Sequence, residues 1–193
     1  MTGRELSLRH PIQRIISLVP SQTELLYELG LRDKIVGQTV FCIHPNQYAK
    51  SAEKVGGTKK IRFEKIDALK PDLIICNKEE NTSEIVEKLS KKYPVWVSDI
   101  KTIDDSFEMF RQLGDLLDVR ERADFLIEQI RQSLSITKIY RKFTCLYLIW
   151  RKPYMSVGND TFIHHMMEKG GFINVLGNLE RYPEIDEETI MAL

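Results

Sequence analysis

Cys42 and His44 lie two residues apart in the segment TVFCIHP, and a thiol next to an imidazole is a pair that nucleophilic catalysis can use. No third residue is evidently placed to orient the imidazole, and the sequence contains no nucleophile-elbow motif. A glycine-rich phosphate loop of the G-x-x-x-x-G-K type is absent as well. We therefore predict that the chain is not an enzyme, and a hydrolase that uses Cys42 and His44 is the alternative.

Histidine side chains could instead bind a metal ion together with carboxylates. His164 and His165 are adjacent on a predicted helix, so their side chains diverge by about 100° and cannot easily face one ion. His44 lies in a predicted loop, where it could be an axial or hydrogen-bonding contact to a metal chelate or simply a loop residue. We expect no metal site belonging to the protein itself, with His44 as the one candidate.

A further kind of chemistry comes from aromatic residues next to cations in the segment WRKPY. The rings of Trp150 and Tyr154 suit a flat, largely apolar macrocycle or a catecholate chelate. Arg151 and Lys152 could bind carboxylates or phosphate on the same molecule. The alternative is a plain exit from a strand, because aromatic residues at strand ends often belong to the edge of the core.

The composition limits the class of partner. The 193-residue chain has 28 Lys and Arg and 28 Asp and Glu, so no excess of charge favours nucleic acid or an acidic membrane surface. Hydrophobic residues make up 42%, which is typical of a folded globular protein. The three cysteines are far apart and give no disulfide framework or zinc motif. The amino terminus has no apolar core of a secretory signal, so we expect either a mature form or a protein that stays inside the cell.

Short apolar runs alternate with amphipathic segments in the first half of the chain. Four runs are predicted to be strands, and the helices between them imply a parallel sheet wound by right-handed crossovers. We expect Ser21 to cap the first helix and Asn81 to cap a later one. The predicted strands are RIISLV, KIVGQTV, PDLIICN and YPVWVSD.

The pattern changes after Thr102. One amphipathic helix is followed by a long charged helix over residues 120–142, then by the predicted strand FTCLYLIW and a helix that Asp160 could cap. The sequence therefore predicts two α/β lobes joined by a long helix. We assign residues 1–117 to the N-terminal lobe, 118–142 to the linking helix and 143–193 to the C-terminal lobe.

Ligands of open parallel α/β sheets bind at the edge where the strands have their carboxyl ends. The loops that leave the predicted strands there include VPSQTE, TVFCIHP, CNKEEN and WRKPYMSVGND. Asn77 and Lys78 in CNKEEN are the best candidates for polar contacts to a ligand. The alternative for Asn77 to Asn81 is a solvated start of the next helix.

Several segments, in order, resemble the helical-backbone, or class III, substrate-binding proteins of ATP-binding-cassette (ABC) importers. The segments are RIISLVPSQTELLYELGL, IVGQTVFCIHP, VGGTKKIRFEKIDALKPDLIIC, YPVWV, SVGNDTFIHHMMEKGGFINVLG and RYPEIDEETIMAL. The resemblance implies two α/β lobes with parallel sheets, a rigid linking helix and a cleft that captures cobalamin, a ferric siderophore, haem or a metal ion. Relative to the family, the C-terminal lobe looks truncated.

In this family a glutamate on the outer surface of each lobe docks onto arginines of the membrane permease, and Glu64 and Glu188 stand at the matching positions. Such charge-assisted pairing suits reversible docking. The resemblance also implies a periplasmic or cell-envelope location and a monomer. The lack of a signal keeps an intracellular sensor or carrier on the same fold as an alternative. We expect no cofactor of the protein's own, and the transported ligand would carry cobalt or iron.

The cobalamin receptors of this family hold the corrin with loop aromatics, and several residues here match that pattern. Phe41, Tyr154 and Tyr182 fall at aromatic positions. Asn77 stands where the pattern has a tryptophan, and His44 stands where it has a tyrosine. The resemblance therefore leaves cobalamin, a ferric siderophore and haem open as ligands. The predicted ligand-binding residues are Phe41, His44, Asn77, Lys78, Trp150, Arg151, Tyr154 and Tyr182.

Overall fold

The computed structural model describes residues 6, 8, 11–48, 50–136, 138–139 and 141–193 of the chain. Contacts between Cα atoms divide the chain into two compact units. We call them the first unit, residues 1–99 with 113–123, and the second unit, residues 100–112 with 124–193. The lobe boundaries expected from the sequence stay a prediction.

A five-stranded parallel sheet forms the centre of the first unit. Its strands are β1 (Ile15–Ser17), β2 (Ile35–Gln38), β3 (Glu53–Lys54), β4 (Leu73–Asn77) and β5 (Val95–Ser98). They lie in the order β3-β2-β1-β4-β5, so β1 is central. Ile15 of β1 pairs with Ile35 on one side and with Leu73 on the other. The prediction of a parallel α/β fold is confirmed.

Three α-helices connect these strands and cover the sheet. They are α1 (Pro20–Glu28), α2 (Phe63–Leu69) and α3 (Ser83–Ser90), and short 3₁₀ turns occupy Arg32–Lys34 and Asn46–Tyr48. Ile66 of α2 and Leu89 of α3 are buried in the same apolar cluster as Ile74 and Cys76 of β4. β4 is buried over its whole length, as expected for an inner parallel strand with both faces covered.

The predicted cap at Ser21 is wrong. α1 begins at Pro20, so Ser21 lies inside the helix. Its N-cap is Val19, and no side chain gives a capping hydrogen bond. Proline is favoured at the first position of a helix because its φ angle already suits the helix and its missing N–H needs no partner there. Pro20 therefore starts the helix without the cap that Ser21 was expected to give.

The predicted cap at Asn81 is also wrong, and its neighbour takes that role. The Thr82 side chain accepts a hydrogen bond from the backbone N–H of Ile85. The Asn81 amide instead donates to the carbonyls of Leu18 and Thr58, at 3.3 and 3.0 Å. Both residue types favour N-caps, so tertiary contacts decide which of the two neighbours becomes the cap.

Two longer helices follow, α4 (Ile103–Leu116) and α5 (Arg120–Ser135). α5 has 16 residues and ends short of the residue 142 to which the sequence pattern extended it. The sequence continues as ITKIY, and such β-branched and aromatic residues favour a helix less than the preceding residues do. Near the start of α5, a Cβ atom at Gly114 would lie 2.8 Å from the Cβ of Ala123, so the glycine permits a close approach there.

Two small sheets make up the strands of the second unit in the described part of the chain. The elements are β6 (Phe143–Cys145), β7 (Tyr154–Met155), α6 (Phe162–Lys169), β8 (Phe172–Asn174), β9 (Glu184–Ile185) and α7 (Glu187–Ala192). β6 pairs with β8 in parallel, and β7 pairs with β9 in antiparallel orientation. The predicted strand FTCLYLIW is formed only over its first three residues. Among the described residues, no helix is long and apolar enough to cross a membrane.

Candidate ligand-binding site

The loop after β2, residues 39–43, presents apolar side chains at the carboxyl edge of the first unit's sheet. Val40, Phe41 and Ile43 are 48%, 58% and 55% exposed. Thr39 and Cys42, which belong to the same loop, are buried. The loop therefore turns an apolar face to solvent while its other face joins it to the sheet. We call Val40, Phe41 and Ile43 the apolar loop face.

Hydroxyl groups contact the thiol on the buried side of this loop. The Sγ atom of Cys42 lies 3.2 Å from the Oγ1 atoms of both Thr23 and Thr39. The Oγ1 atom of Thr23 also lies 2.7 Å from the Oγ atom of Ser17 at the end of β1. Because the thiol is enclosed in this way, it cannot easily reach a substrate. The geometry therefore gives no support to a hydrolase that uses Cys42 and His44.

Phe41 and His44 lie where the sequence predicted them, at the carboxyl edge of the sheet. A Cβ atom at Gly57 would lie 3.1 Å from the Cε2 atom of Phe41, so the glycine leaves room for the ring. The His44 side chain is exposed. Contact of either residue with a ligand stays a prediction.

The side chain of Asn77 organises the loop after β4. Its Oδ1 atom accepts hydrogen bonds from the backbone N–H groups of Glu79 and Glu80, at 2.8 and 3.2 Å. Its Nδ2 atom donates to the Oγ atom of Ser98 at 2.9 Å, which joins the ends of β4 and β5. Asn77 is also 9% exposed. The structure thus gives Asn77 a role in holding the loop, and the predicted contact with a ligand remains a prediction.

Lys78 forms an ion pair at the same edge of the sheet. Its Nζ atom lies 2.7 Å from the Oδ2 atom of Asp99, and half of the Lys78 side chain is exposed. Such a pair contributes at most about 1 kcal/mol, so a ligand group can compete for the ammonium. The other oxygen of Asp99, Oδ1, is buried and has no hydrogen-bond partner in the part of the chain that the structure describes. Lys78 would therefore reach a ligand by sharing or leaving Asp99.

In the second unit, Trp150 and Arg151 stand at the tip of a hairpin. The backbone N–H of Ile149 donates to the Met155 carbonyl at 2.9 Å, and that of Met155 donates to the Trp150 carbonyl at 3.1 Å. Trp150 is 64% exposed, and Arg151 is also exposed. An indole ring next to a guanidinium group is suited to a flat ligand that carries negative charge.

Tyr154 and Tyr182 belong to two segments that the antiparallel pairing of β7 with β9 joins. Tyr154 pairs with Ile185 across the two strands, and Tyr182 lies just before β9. The guanidinium of Arg181 lies 5.4 Å from the centroid of the Tyr182 ring, which is within range of a cation–π contact. The structure thus places four predicted residues of the second unit, namely Trp150, Arg151, Tyr154 and Tyr182, on one antiparallel element.

Asp160 fixes the segment that carries Arg181. Its Oδ1 atom accepts a hydrogen bond from the Arg181 backbone N–H at 2.5 Å, and its Oδ2 atom lies 3.8 Å from the Nζ atom of Lys101. The hydrogen bond from the Arg181 backbone is the main cause that holds the pKa of Asp160 below its usual value. The prediction that Asp160 caps α6 is wrong, because the Thr161 side chain accepts the bond from the His164 backbone N–H.

Glu64 and Glu188 are both exposed, and each lies in the first turn of a short helix. α2, which carries Glu64, belongs to the first unit, and α7, which carries Glu188, belongs to the second. One carboxylate on each unit is the arrangement that the docking prediction requires. Docking itself stays a prediction.

His164 is engaged inside the second unit. Its Nδ1 atom lies 3.1 Å from the Nδ2 atom of Asn174. The same amide donates to the Val157 carbonyl at 2.8 Å, and its Oδ1 accepts from the Leu176 backbone, so His164 Nδ1 is the acceptor. Within the described residues, no three His, Cys, Asp or Glu side chains are grouped so that they could hold a metal ion.

A cavity of about 590 Å³ lies between α4, α5 and α6 of the second unit. Phe107 and Leu134 contribute apolar side chains to its lining, and Asp104 and Arg131 contribute charges of both signs. The volume is in the range of small-molecule sites. None of the predicted ligand-binding residues lines this cavity, and its mixed charges do not select one class of ligand.

Three residues of these surfaces were not among the ligand-binding residues predicted from the sequence, namely Val40, Ile43 and Arg181. For Val40 and Ile43 a signal was available, because VFCI is an apolar run directly after a predicted strand. An apolar run at a loop position either returns to the core or meets a ligand. Arg181 gave no such signal, since only the folded chain shows its ring contact with Tyr182.

The periplasmic binding protein family matches residues 15–193, and the chain belongs to this family. Members are non-enzymatic solute-binding proteins, so the prediction that the chain is not an enzyme is confirmed. The class III fold expected from the resemblance is confirmed as well, since the solved structures that superpose on the chain have it.

Individual relatives agree with this assignment. A vitamin B12-binding protein of Vibrio vulnificus is 31% identical over 193 residues, which cover 94% of this chain and 68% of that protein. The crystal structure of the periplasmic vitamin B12-binding protein of Vibrio cholerae superposes with a TM-score of 0.80 at 28% identity, covering 94% of this chain and 73% of that one. The crystal structure of a possible iron-binding periplasmic protein of Staphylococcus epidermidis superposes with a TM-score of 0.78 at 26% identity. The match covers 94% of this chain and 74% of that one. The chain spans 64% to 68% of the length of its first curated relatives.

Proposed function

We propose that the chain is the substrate-binding component of an ABC importer, which captures a metal chelate and delivers it to a membrane permease. The observation that carries this proposal is the apolar loop face. Val40, Phe41 and Ile43 are exposed at the carboxyl edge of a parallel sheet, where ligands of such sheets bind. A cluster of exposed apolar side chains on a buried, hydrogen-bonded base favours contact with a ligand.

The proposed ligand is cobalamin, a ferric siderophore or haem. Trp150 and Tyr154 would stack on a flat chelate, while Arg151 and Lys152 would pair with its carboxylates or phosphate. The protein would supply no cofactor, because cobalt or iron would arrive with the ligand. The names of the Vibrio relatives, which refer to vitamin B12, and of the possible iron-binding protein support this class of ligand.

The proposed partner is the permease, at Glu64 and Glu188, and the proposed location is the periplasm or cell envelope. Charge reversal tests the docking. We expect Glu64→Lys and Glu188→Lys to weaken association with the permease while leaving chelate binding unchanged, since neither residue is among the predicted ligand-binding residues. A chain that binds a chelate but associates with no permease would instead favour an intracellular sensor or carrier.

Tryptophan fluorescence tests the capture of a chelate, because Trp150 is 64% exposed whereas Trp96 is 7% exposed. The chain is titrated with cyanocobalamin, haemin and a set of ferric siderophores, with correction for light absorbed by the ligand. We expect saturable quenching by one of them with a Kd below about 1 µM. Trp150→Phe should reduce the quenching, because the remaining tryptophan, Trp96, is buried and is open to energy transfer but not to direct contact with the ligand.

Alanine variants locate the site. We expect Phe41→Ala and Tyr154→Ala each to raise the Kd about tenfold, since buried aromatic contacts dominate binding energy. Phe125→Ala is the control, because Phe125 of α5 is 50% exposed and is not among the predicted contacts. If no chelate binds, the proposal is wrong. If a chelate binds with equal affinity to all three variants, its site lies elsewhere in the chain.

A further inference from the structure

Lys54 of the edge strand β3 reaches the loop that carries the apolar loop face. Its Nζ atom donates hydrogen bonds to the carbonyl oxygens of Cys42 and Thr39, at 3.0 and 3.3 Å. These carbonyls belong to the two residues that form the buried side of the loop. One ammonium group therefore joins both inward-facing residues of the loop to the edge of the sheet.

The backbone places Lys54 where it can do this. β3 pairs with β2 so that Lys54 lies opposite Gln38, the residue directly before the loop. The backbone N–H of Val55 donates to the Gln38 carbonyl at 3.0 Å, and that of Val40 donates to the Gly56 carbonyl at 2.8 Å. The start of the loop is thus held to the two residues that directly follow Lys54.

The two carbonyls differ in what else holds them. The Thr39 carbonyl also accepts a bond from the Cys42 backbone N–H, at 3.2 Å. For the Cys42 carbonyl, the ammonium of Lys54 is the donor that the described residues show. Burial, which is the main cause, lowers the pKa of Lys54, so this ammonium is partly withdrawn from water. Its bonds to the loop then face less competition from solvent.

We infer that Lys54 is a positioning residue for ligand binding: it holds the loop 39–43 in the conformation that exposes Val40, Phe41 and Ile43. This inference rests on the proposed function, because it gives the apolar loop face a ligand to receive. A loop that is already ordered loses less conformational freedom when a ligand binds, and affinity rises accordingly. Lys54 would act without touching the ligand.

Amide exchange measured by NMR on the full chain tests the loop contact without any ligand. The variants are Lys54→Met, which keeps the aliphatic stem but removes the donors, and Lys54→Arg, which keeps a cation with donors. Lys91→Met is the control. Lys91 is an exposed lysine at the end of α3, and its substitution removes the same charge as Lys54→Met does. We expect the amides of Val40, Cys42 and Ile43 to exchange about tenfold faster in Lys54→Met, with those of β1 and β4 unchanged. Lys54→Arg should restore part of the protection.

Binding of the chelate identified by fluorescence gives the second measurement. We expect Lys54→Met to raise its Kd about five- to tenfold, mainly through faster dissociation, whereas Lys91→Met leaves it unchanged. Equal loop exchange in Lys54→Met and the unmodified chain would overturn the inference. Faster loop exchange with an unchanged Kd would also overturn it, because the loop would then be held without benefit to binding. If no chelate binds the unmodified chain, the proposed function fails, and the exchange rates still decide whether Lys54 holds the loop.

Discussion

The sheets of the two units are built from similar residues but are covered to different degrees. In the first unit, all five residues of β4, Leu73–Asn77, are buried. In the second unit, β6 and β8 are also rich in apolar residues, yet Phe143 is 52% exposed and Ile173 is 50% exposed. β4 has a strand on each side and helices over its faces, whereas β6 and β8 pair only with each other among the described residues.

This difference shows that an apolar run is not by itself a buried strand. PDLIICN and FTCLYLIW look alike as sequences, and both were expected to form strands. Burial depends on what covers the run, and a pair of strands alone has too little contact to be independently stable. We therefore expect the two units to differ in local stability, and four measurements would sharpen or break this comparison.

The largest expected difference is in amide exchange. The Ile74 backbone N–H donates to Pro94 within the five-stranded sheet, whereas that of Phe143 donates to Gly171 at the edge of the small sheet. We expect the Ile74 amide to exchange at least about a hundredfold more slowly, since exchange reports the free energy of local opening. Similar rates measured by NMR would mean that the two units open as one and would contradict the comparison.

Truncation of an isoleucine in each sheet should give the next largest effect. Ile74→Ala removes a fully buried side chain from the core of the first unit and should lower the free energy of unfolding by about 2–5 kcal/mol. Ile173→Ala in β8 is the matched control and should cost less than about 1 kcal/mol. Urea titrations followed by fluorescence report the first unit through Trp96 in a Trp150→Phe background, and the second unit through Trp150 in a Trp96→Phe background. A larger loss from Ile173→Ala would show that β8 is better covered than its exposure indicates.

Removal of a helix cap should cost more stability in the second unit than in the first, which is the reverse of the order expected for the isoleucine truncations. Thr82 caps α3 and is exposed, so Thr82→Ala should cost about 1 kcal/mol. Thr161 caps α6, is 3% exposed and also donates to the Gly158 carbonyl at 2.9 Å. Thr161→Ala should therefore cost about 2 kcal/mol in the unfolding of the second unit, because a buried carbonyl also loses its donor. Equal losses at the two sites would argue that the buried hydroxyl adds nothing beyond the cap.

Acid should have the smallest effect, and it should act on both units. The pKa of Asp67 in the first unit is lowered mainly by its hydrogen bond with Lys92, and that of Asp160 in the second mainly by the Arg181 backbone. A carboxyl whose pKa is lower in the folded chain contributes stability above its unfolded pKa, and this contribution is lost as the pH falls through the folded pKa. We expect Asp67→Asn and Asp160→Asn each to flatten the loss of stability below about pH 4. NMR titration midpoints at the ordinary aspartate value would contradict this.

The fold of the first unit was largely predictable, because four of its strands are continuous apolar runs between helices. β3 was missed because Glu53 and Lys54 carry no apolar pattern, and their pairing with Gly37 and Gln38 is visible only in the folded chain. The ends of the elements in the second unit were less predictable. The run FTCLYLIW leaves its strand after Cys145, since β8 offers only three residues to pair with.

The candidate site was predictable as a set of loops but not as a set of roles. Sequence position placed Asn77 correctly at the end of β4, yet its hydrogen bond to Ser98 joins residues that lie 21 positions apart. Lys54 gave no signal at all, because a lysine in a polar segment is usually solvated. Residue type and spacing therefore indicate where a ligand could bind, while tertiary contacts decide which residues hold the loops.

The loop after β2 divides its side chains between solvent and core, and this division has a consequence for how such a receptor can evolve. Substitutions at Val40, Phe41 and Ile43 change the surface offered to solvent, while the buried pair Thr39 and Cys42 keeps its contacts. Recognition and architecture are thus encoded at different positions of one short segment. A lineage can exchange one cargo for another through a few outward-facing substitutions, each nearly neutral for folding.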